Sequence, residues 1–107
     1  MNWLALWIAG AFEIAWAIGL KYTRGFTVLW PSVGTAAAMI ASFVFLSRAV
    51  QSIPIGTAYA VWTGIGAAGT AVLGMALFGE SSAWPRLACI GLIVAGIAGL
   101  RITAVTS

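Results

Sequence analysis

The sequence predicts an all-α integral membrane protein with four transmembrane helices, and three observations carry that prediction. Hydrophobic residues make up 63% of the 107 residues. Charged residues make up only 7%, where soluble domains carry about a quarter. A short domain leaves much of its surface exposed, so this chain lacks the polar surface needed to face water. Finally, charges and prolines punctuate the chain at intervals of one membrane span. A disordered segment is excluded too, because it needs low hydrophobicity and high net charge.

A span needs about 20 mainly apolar residues. The first runs over 2–20 and stops at Lys21. The second runs over 26–47 and stops near Arg48, with Pro31 close enough to its start to bend it. The third covers 54–78 and opens on Pro54, whose missing N–H is not needed in a first turn. The fourth covers 84–103 and opens near Pro85 for the same reason. The connections Lys21–Gly25, Arg48–Ile53 and Gly79–Ala83 are short, so sequential helices run antiparallel. Gly25 and Gly79 suit the turns there. The spans make 1–107 a single four-helix transmembrane domain. No signal peptide is expected, since the N-terminus lacks a charged leader and Glu13 interrupts the first apolar run.

The composition also removes several chemistries. There is no His, and Cys89 is the single cysteine. A zinc site needs about four ligands, which two distant carboxylates and one thiol do not supply, so no metal is expected. A Ser-His-Asp or Cys-His nucleophile is impossible, and no disulfide forms within the chain. There is no phosphate-binding loop or dinucleotide fingerprint, so no cofactor is expected. The five basic residues are scattered singly and form no nucleic-acid patch. An ordinary enzyme is not expected.

The charges barely define an orientation. With the N-terminus on one side, that side holds Arg48, Arg101 and the N-terminal amine if it is free. The other side holds Lys21, Arg24 and Arg86. Orientation follows an excess of Lys and Arg in the cytoplasmic loops, and here the excess is at most one. Insertion both ways and a fixed orientation set by one residue both fit. Four short helices leave little room for a walled cavity, so an enclosed polar site calls for an oligomer. On the fourth helix Gly91, Ala95 and Gly99 fall on one face, a row of small residues that allows close helix approach. We read it as a dimer contact; packing within the chain is the alternative.

Glu13 is the most informative residue. It lies near the middle of the first span, where an ionised side chain costs about 2.5–3.5 kcal/mol and protonation lowers that cost. An acid there is a functional candidate by default; a protonated carboxyl tying helices together is the alternative. Trp16 shares its face and brings an indole N–H and a ring face for a cation. On the second helix, Ser42 is a mid-span hydroxyl that could simply bond its own helix. On the third, Tyr59, Trp62, Thr63 and Gly66 share a face. Trp3, Trp30 and Trp84 sit near span ends and read as interfacial anchors. Glu80 lies in a loop beside Ser81 and Ser82, where solvation explains it. An acid, a hydroxyl, a phenol and two indoles in apolar helices describe a small cation site. Gly64 and Gly66 could serve as hinges for alternating access or simply permit close packing.

Three segments carry a resemblance: GAFEIAWAIGLKY over 10–22, GFTVLWPS over 25–32 and PIGTAYAVWTGIG over 54–66. They resemble the small multidrug resistance transporters, and the likeness covers the whole chain. It implies an antiparallel, dual-topology homodimer of four-helix subunits, multi-pass in the bacterial plasma (inner) membrane. It also implies proton-coupled antiport in which the central acid, here Glu13, binds either cation or proton. Trp16 and Ser42 match the guanidinium-exporting subtype, while Met39 stands where the drug exporters usually carry a Tyr. The resemblance therefore implies guanidinium and protons as the ligands and no cofactor. Trp16 and Ser42 would orient Glu13, and Tyr59 and Trp62 would line and gate the site. A quaternary-ammonium drug exporter of the same family and a non-transporting subunit needing a partner chain are the alternatives.

Overall fold

The computed structural model describes residues 2–106, with side chains over 3–103; Met1, whose amine enters the charge count, lies outside them. Four helices follow in order: α1 (Asn2–Tyr22), α2 (Leu29–Ala49), α3 (Ile55–Phe78) and α4 (Trp84–Thr106). Each is long and apolar enough to cross a membrane. Large apolar side chains point outward, among them Leu29, Ile40, Leu92 and Ile102. In water that exposure would oppose folding, whereas hydrocarbon accepts it. Trp30 and Trp84 stand exposed at helix starts, as interfacial anchors should.

The second helix begins at Leu29 rather than at residue 26, and the turn before it explains the shift. Arg24, Gly25 and Phe26 all have positive φ, at 49°, 73° and 66°, so the chain leaves right-handed helical space there. Thr23 holds this turn. Its hydroxyl donates to Leu20 O at 2.7 Å and accepts from the Phe26 N–H at 3.2 Å. Thr23 is buried. Pro31 becomes the third residue of α2, inside the first turn where no N–H is required. It therefore has no interior hydrogen bond to break. Pro54 caps α3 with extended backbone, one position earlier than a first-turn proline. Gly79, at φ 67°, ends α3 in the left-handed region.

Small residues set the packing. α1 lies between α2 and α3, while the α4 backbone approaches α3 alone. A Cβ on Gly10 would strike Ile65, one on Gly19 would strike Thr35, and one on Gly69 would strike Ile14. Without hydrophobic drive between helices in lipid, such close approach supplies the dispersion contact that holds them. A buried cluster of Leu6, Ala9, Ala49, Ala58, Val61 and Trp62 ties α1, α2 and α3 together. The result is a slab of 45 × 34 × 17 Å.

Gly69→Ala is expected to destabilise the chain by about 1–3 kcal/mol, the usual cost of overpacking. Ile14→Val in the same chain should recover part of that loss. Unfolding of the single and double variants in detergent micelles, read as a double-mutant cycle, checks this.

Candidate functional site

An open groove of about 470 Å³ runs between α1 and α3, with Glu13 on its α1 wall. Ala17 continues that wall, and Thr63, Gly66 and Thr70 face it from α3. Gly66 fixes the carboxyl's position: a Cβ there would collide with Glu13 Oε1. The helix that binds α1 thus leaves a notch for the acid. Glu13 Oε1 and Thr70 Oγ1 are buried and have no hydrogen-bond partner among the described residues. In an apolar medium an unsatisfied polar atom is costly, so this groove is primed for a polar or cationic guest.

A second constellation lies beside it. Trp62 Nε1 donates to Ser42 Oγ at 2.9 Å, and the Ser42 hydroxyl donates to Ala9 O at 2.7 Å. Ser42 is fully buried, and Trp62 nearly so. This relay joins α3, α2 and α1 through one hydroxyl. Ser42 does not spend its hydroxyl on its own helix, the outcome a lone serine most often has. Ala9 lies one turn before Glu13, so the relay anchors the α1 backbone just ahead of the acid. Tyr59 packs on Trp62 with ring centroids 5.7 Å apart, and Phe43 meets the same indole edge-on at 5.9 Å. Tyr59 itself is exposed.

Within one chain the expected site residues therefore fall into two groups. Ser42, Tyr59 and Trp62 are brought together. Glu13 sits apart with Gly66 and Thr63, and neither Ser42 nor Trp16 hydrogen-bonds to it. The Trp16 N–H has no partner among the described residues. Gly64 and Gly66 have packing roles in this conformation: a Cβ on Gly64 would press on Ile97 at 3.0 Å, and α3 is continuous past both. Gly91 and Gly99 have open space around them, and Ala95 is exposed between them. That row does not pack within the chain. Sequence reasoning passed over Thr70, Lys21 and Arg86, which also line the groove. Glu80 is not simply solvated either: it pairs with Arg86 at 2.7 Å.

Comparison with known proteins decides the family. Residues 1–93 match the family model described as Small Multidrug Resistance protein. The chain belongs to the small multidrug resistance family. Four spans and that family place it in the bacterial inner membrane as a multi-pass transport protein. A guanidinium exporter of Citrobacter freundii is 59% identical over 103 residues, covering 96% of this chain and 98% of that protein. A guanidinium exporter of Salmonella typhimurium is 55% identical over 104 residues, covering 97% and 99%. One of Yersinia pseudotuberculosis is 57% identical over 102 residues, covering 95% and 98%.

The relay makes a stability prediction. Ser42→Ala removes both of its bonds and leaves a buried indole N–H unpaired, which should cost about 1–3 kcal/mol. Denaturant unfolding in micelles, followed by tryptophan emission, measures it.

Proposed function

We propose that this small multidrug resistance protein exports guanidinium in exchange for protons, with Glu13 holding cation and proton in turn. The observation that carries the reading is identity of 55–59% to guanidinium exporters over nearly the whole of both chains. The groove agrees chemically. A carboxylate in low dielectric favours a partner of opposite charge, and planar guanidinium offers N–H donors spaced to match carboxylate oxygens. The protein acts as a carrier rather than an enzyme, and its whole length serves as one transmembrane domain.

We further infer an antiparallel homodimer inserted in both orientations. Within one chain the Glu13 groove is open, and a second copy would close it. The near-balanced basic residues agree with dual insertion. The small-residue face of α4, unused within the chain, is the contact this assembly would use. Glu13 from both subunits would then meet near the midplane. In that assembly Trp16 and, through the α1 backbone that it anchors, Ser42 would orient the acid, Tyr59 and Trp62 would line and gate the site, and Gly64 and Gly66, packed in the conformation described, would let α3 flex between inward- and outward-facing states.

Guanidinium-driven current in proteoliposomes holding this chain alone tests the reading, with Glu13→Gln as the control. Wild-type protein should pass a pH-dependent current, and the variant none. Because protons compete for the same carboxyl, the half-saturating guanidinium concentration should rise as the pH falls. No wild-type current from an intact dimer would refute guanidinium export. Ala95→Leu should weaken the dimer while the chain still inserts; crosslinking in membranes reads that loss.

A further inference from the structure

The groove does not end at Glu13. It continues along α3 toward the connection to α4, where Lys21, Glu80 and Arg86 line it. Arg86 Nη2 donates to Glu80 Oε1 at 2.7 Å and reaches Ala71 O at 3.4 Å. Gly74 makes room for the pair, since a Cβ there would meet Glu80 Cδ at 2.8 Å. Gly66 under Glu13 and Gly74 under Glu80 are eight residues apart on one helix. At 1.5 Å per residue that is about 12 Å. Two carboxylates thus lie along one groove, each seated on a glycine of α3.

The outer carboxylate already holds a guanidinium, that of Arg86. The fork is only partly engaged: Arg86 Nε is buried and has no partner among the described residues. The two side chains remain 34% and 41% exposed, and exposed pairs of this kind are weak and exchange readily. A free guanidinium ion carries the same planar donor set as Arg86. A carboxylate that accepts one accepts the other.

We propose that Glu80 is an outer station for the cation, with Arg86 its built-in competitor. Guanidinium displaces Arg86 from Glu80 on its path to or from Glu13, and Arg86 returns to Glu80 after it passes. This rests on the guanidinium-export reading above. The charges near the mouth give the proposal a sign. Lys21, held over the Phe78 ring at 4.9 Å, and Arg86 are positive; Glu80 alone is negative. Glu80→Gln removes the station and leaves two positive charges. Arg86→Gln frees the station and leaves the mouth neutral. The two variants therefore act in opposite directions. A purely structural tie between the loop and α4 would instead make them act alike, because both lose the same bond.

The test is the guanidinium dependence of current in proteoliposomes of the full chain. Glu80→Gln should raise the half-saturating concentration about threefold, and Arg86→Gln should lower it by a similar factor, the size of an exposed ion-pair interaction. Both shifts should shrink at high salt, which screens exposed charges. Arg86→Lys keeps the charge and releases the fork, so it should shift the value in the same direction as Arg86→Gln by a smaller factor. It carries the test if the Gln variant does not fold. Shifts in the same direction, or no shift, in a protein whose wild type conducts would overturn the outer station alone. A wild type that passes no guanidinium current would overturn the export reading, and this proposal with it.

Discussion

A carboxyl group in hydrocarbon has no water to turn to, so the protein must supply its surroundings, and much of this fold follows from that. Glu13 sits on the helix that packs against two others. Its side chain needs room beside α3, and only a residue without a Cβ gives it. The same close approach lets Gly10 and Gly69 receive Ile65 and Ile14 on either side. Small residues on both helices therefore serve two ends. They give α1 and α3 the contact that holds them together in lipid, and they open the notch where a charge can be accommodated.

The relay through Ser42 solves the companion problem of placing an indole deep in the membrane. Trp62 packs well there, but its N–H would be orphaned. Ser42 accepts a hydrogen bond from that N–H and donates its own hydroxyl to Ala9 O, so every polar group in the chain of bonds is used. Ala9 and Glu13 are one helical turn apart on α1. The aromatic cluster of Phe43, Tyr59 and Trp62 is thereby linked mechanically to the segment that carries the acid, without touching the carboxyl. A displacement of α3 that moves Trp62 also pulls on the backbone one turn from Glu13.

Much of this was legible in the sequence, because it follows from hydropathy and from where charges stand. The four spans needed nothing more, nor did the place of Glu13 mid-way along the first of them. The start of α2 was not legible, since Arg24 and Phe26 adopt positive φ without being glycine, and the buried Thr23 that stabilises this is an ordinary residue in the sequence. The partner of Ser42 was hidden for a different reason. It is a backbone carbonyl 33 residues away, and spacing rules speak only of neighbours on one helix. Glu80 and Arg86 were read singly because they flank a turn, where no helical periodicity links them. The α3 glycines were ambiguous between hinge and close packing, and in this conformation they pack.

The division of the site into two groups bears on energetics as well as assembly. A single chain offers the cation one carboxylate in an open groove, which balances a monovalent ion. The proposed inverted pair brings two carboxylates to one region, and like charges held close titrate as a coupled pair. With both protonated the site is neutral; with both ionised around one guanidinium it carries one net negative charge. If such a pair exchanged two protons for one cation, one net charge would cross the membrane in each cycle. At about 100 mV that charge would be worth about 2.3 kcal/mol, in addition to whatever the proton gradient provided. A carrier with one titrating acid per cation would be blind to the membrane potential. Duplicating Glu13 through the dimer, rather than adding a second acid to the chain, would link export to the potential while keeping each folded subunit to one charge inside the bilayer.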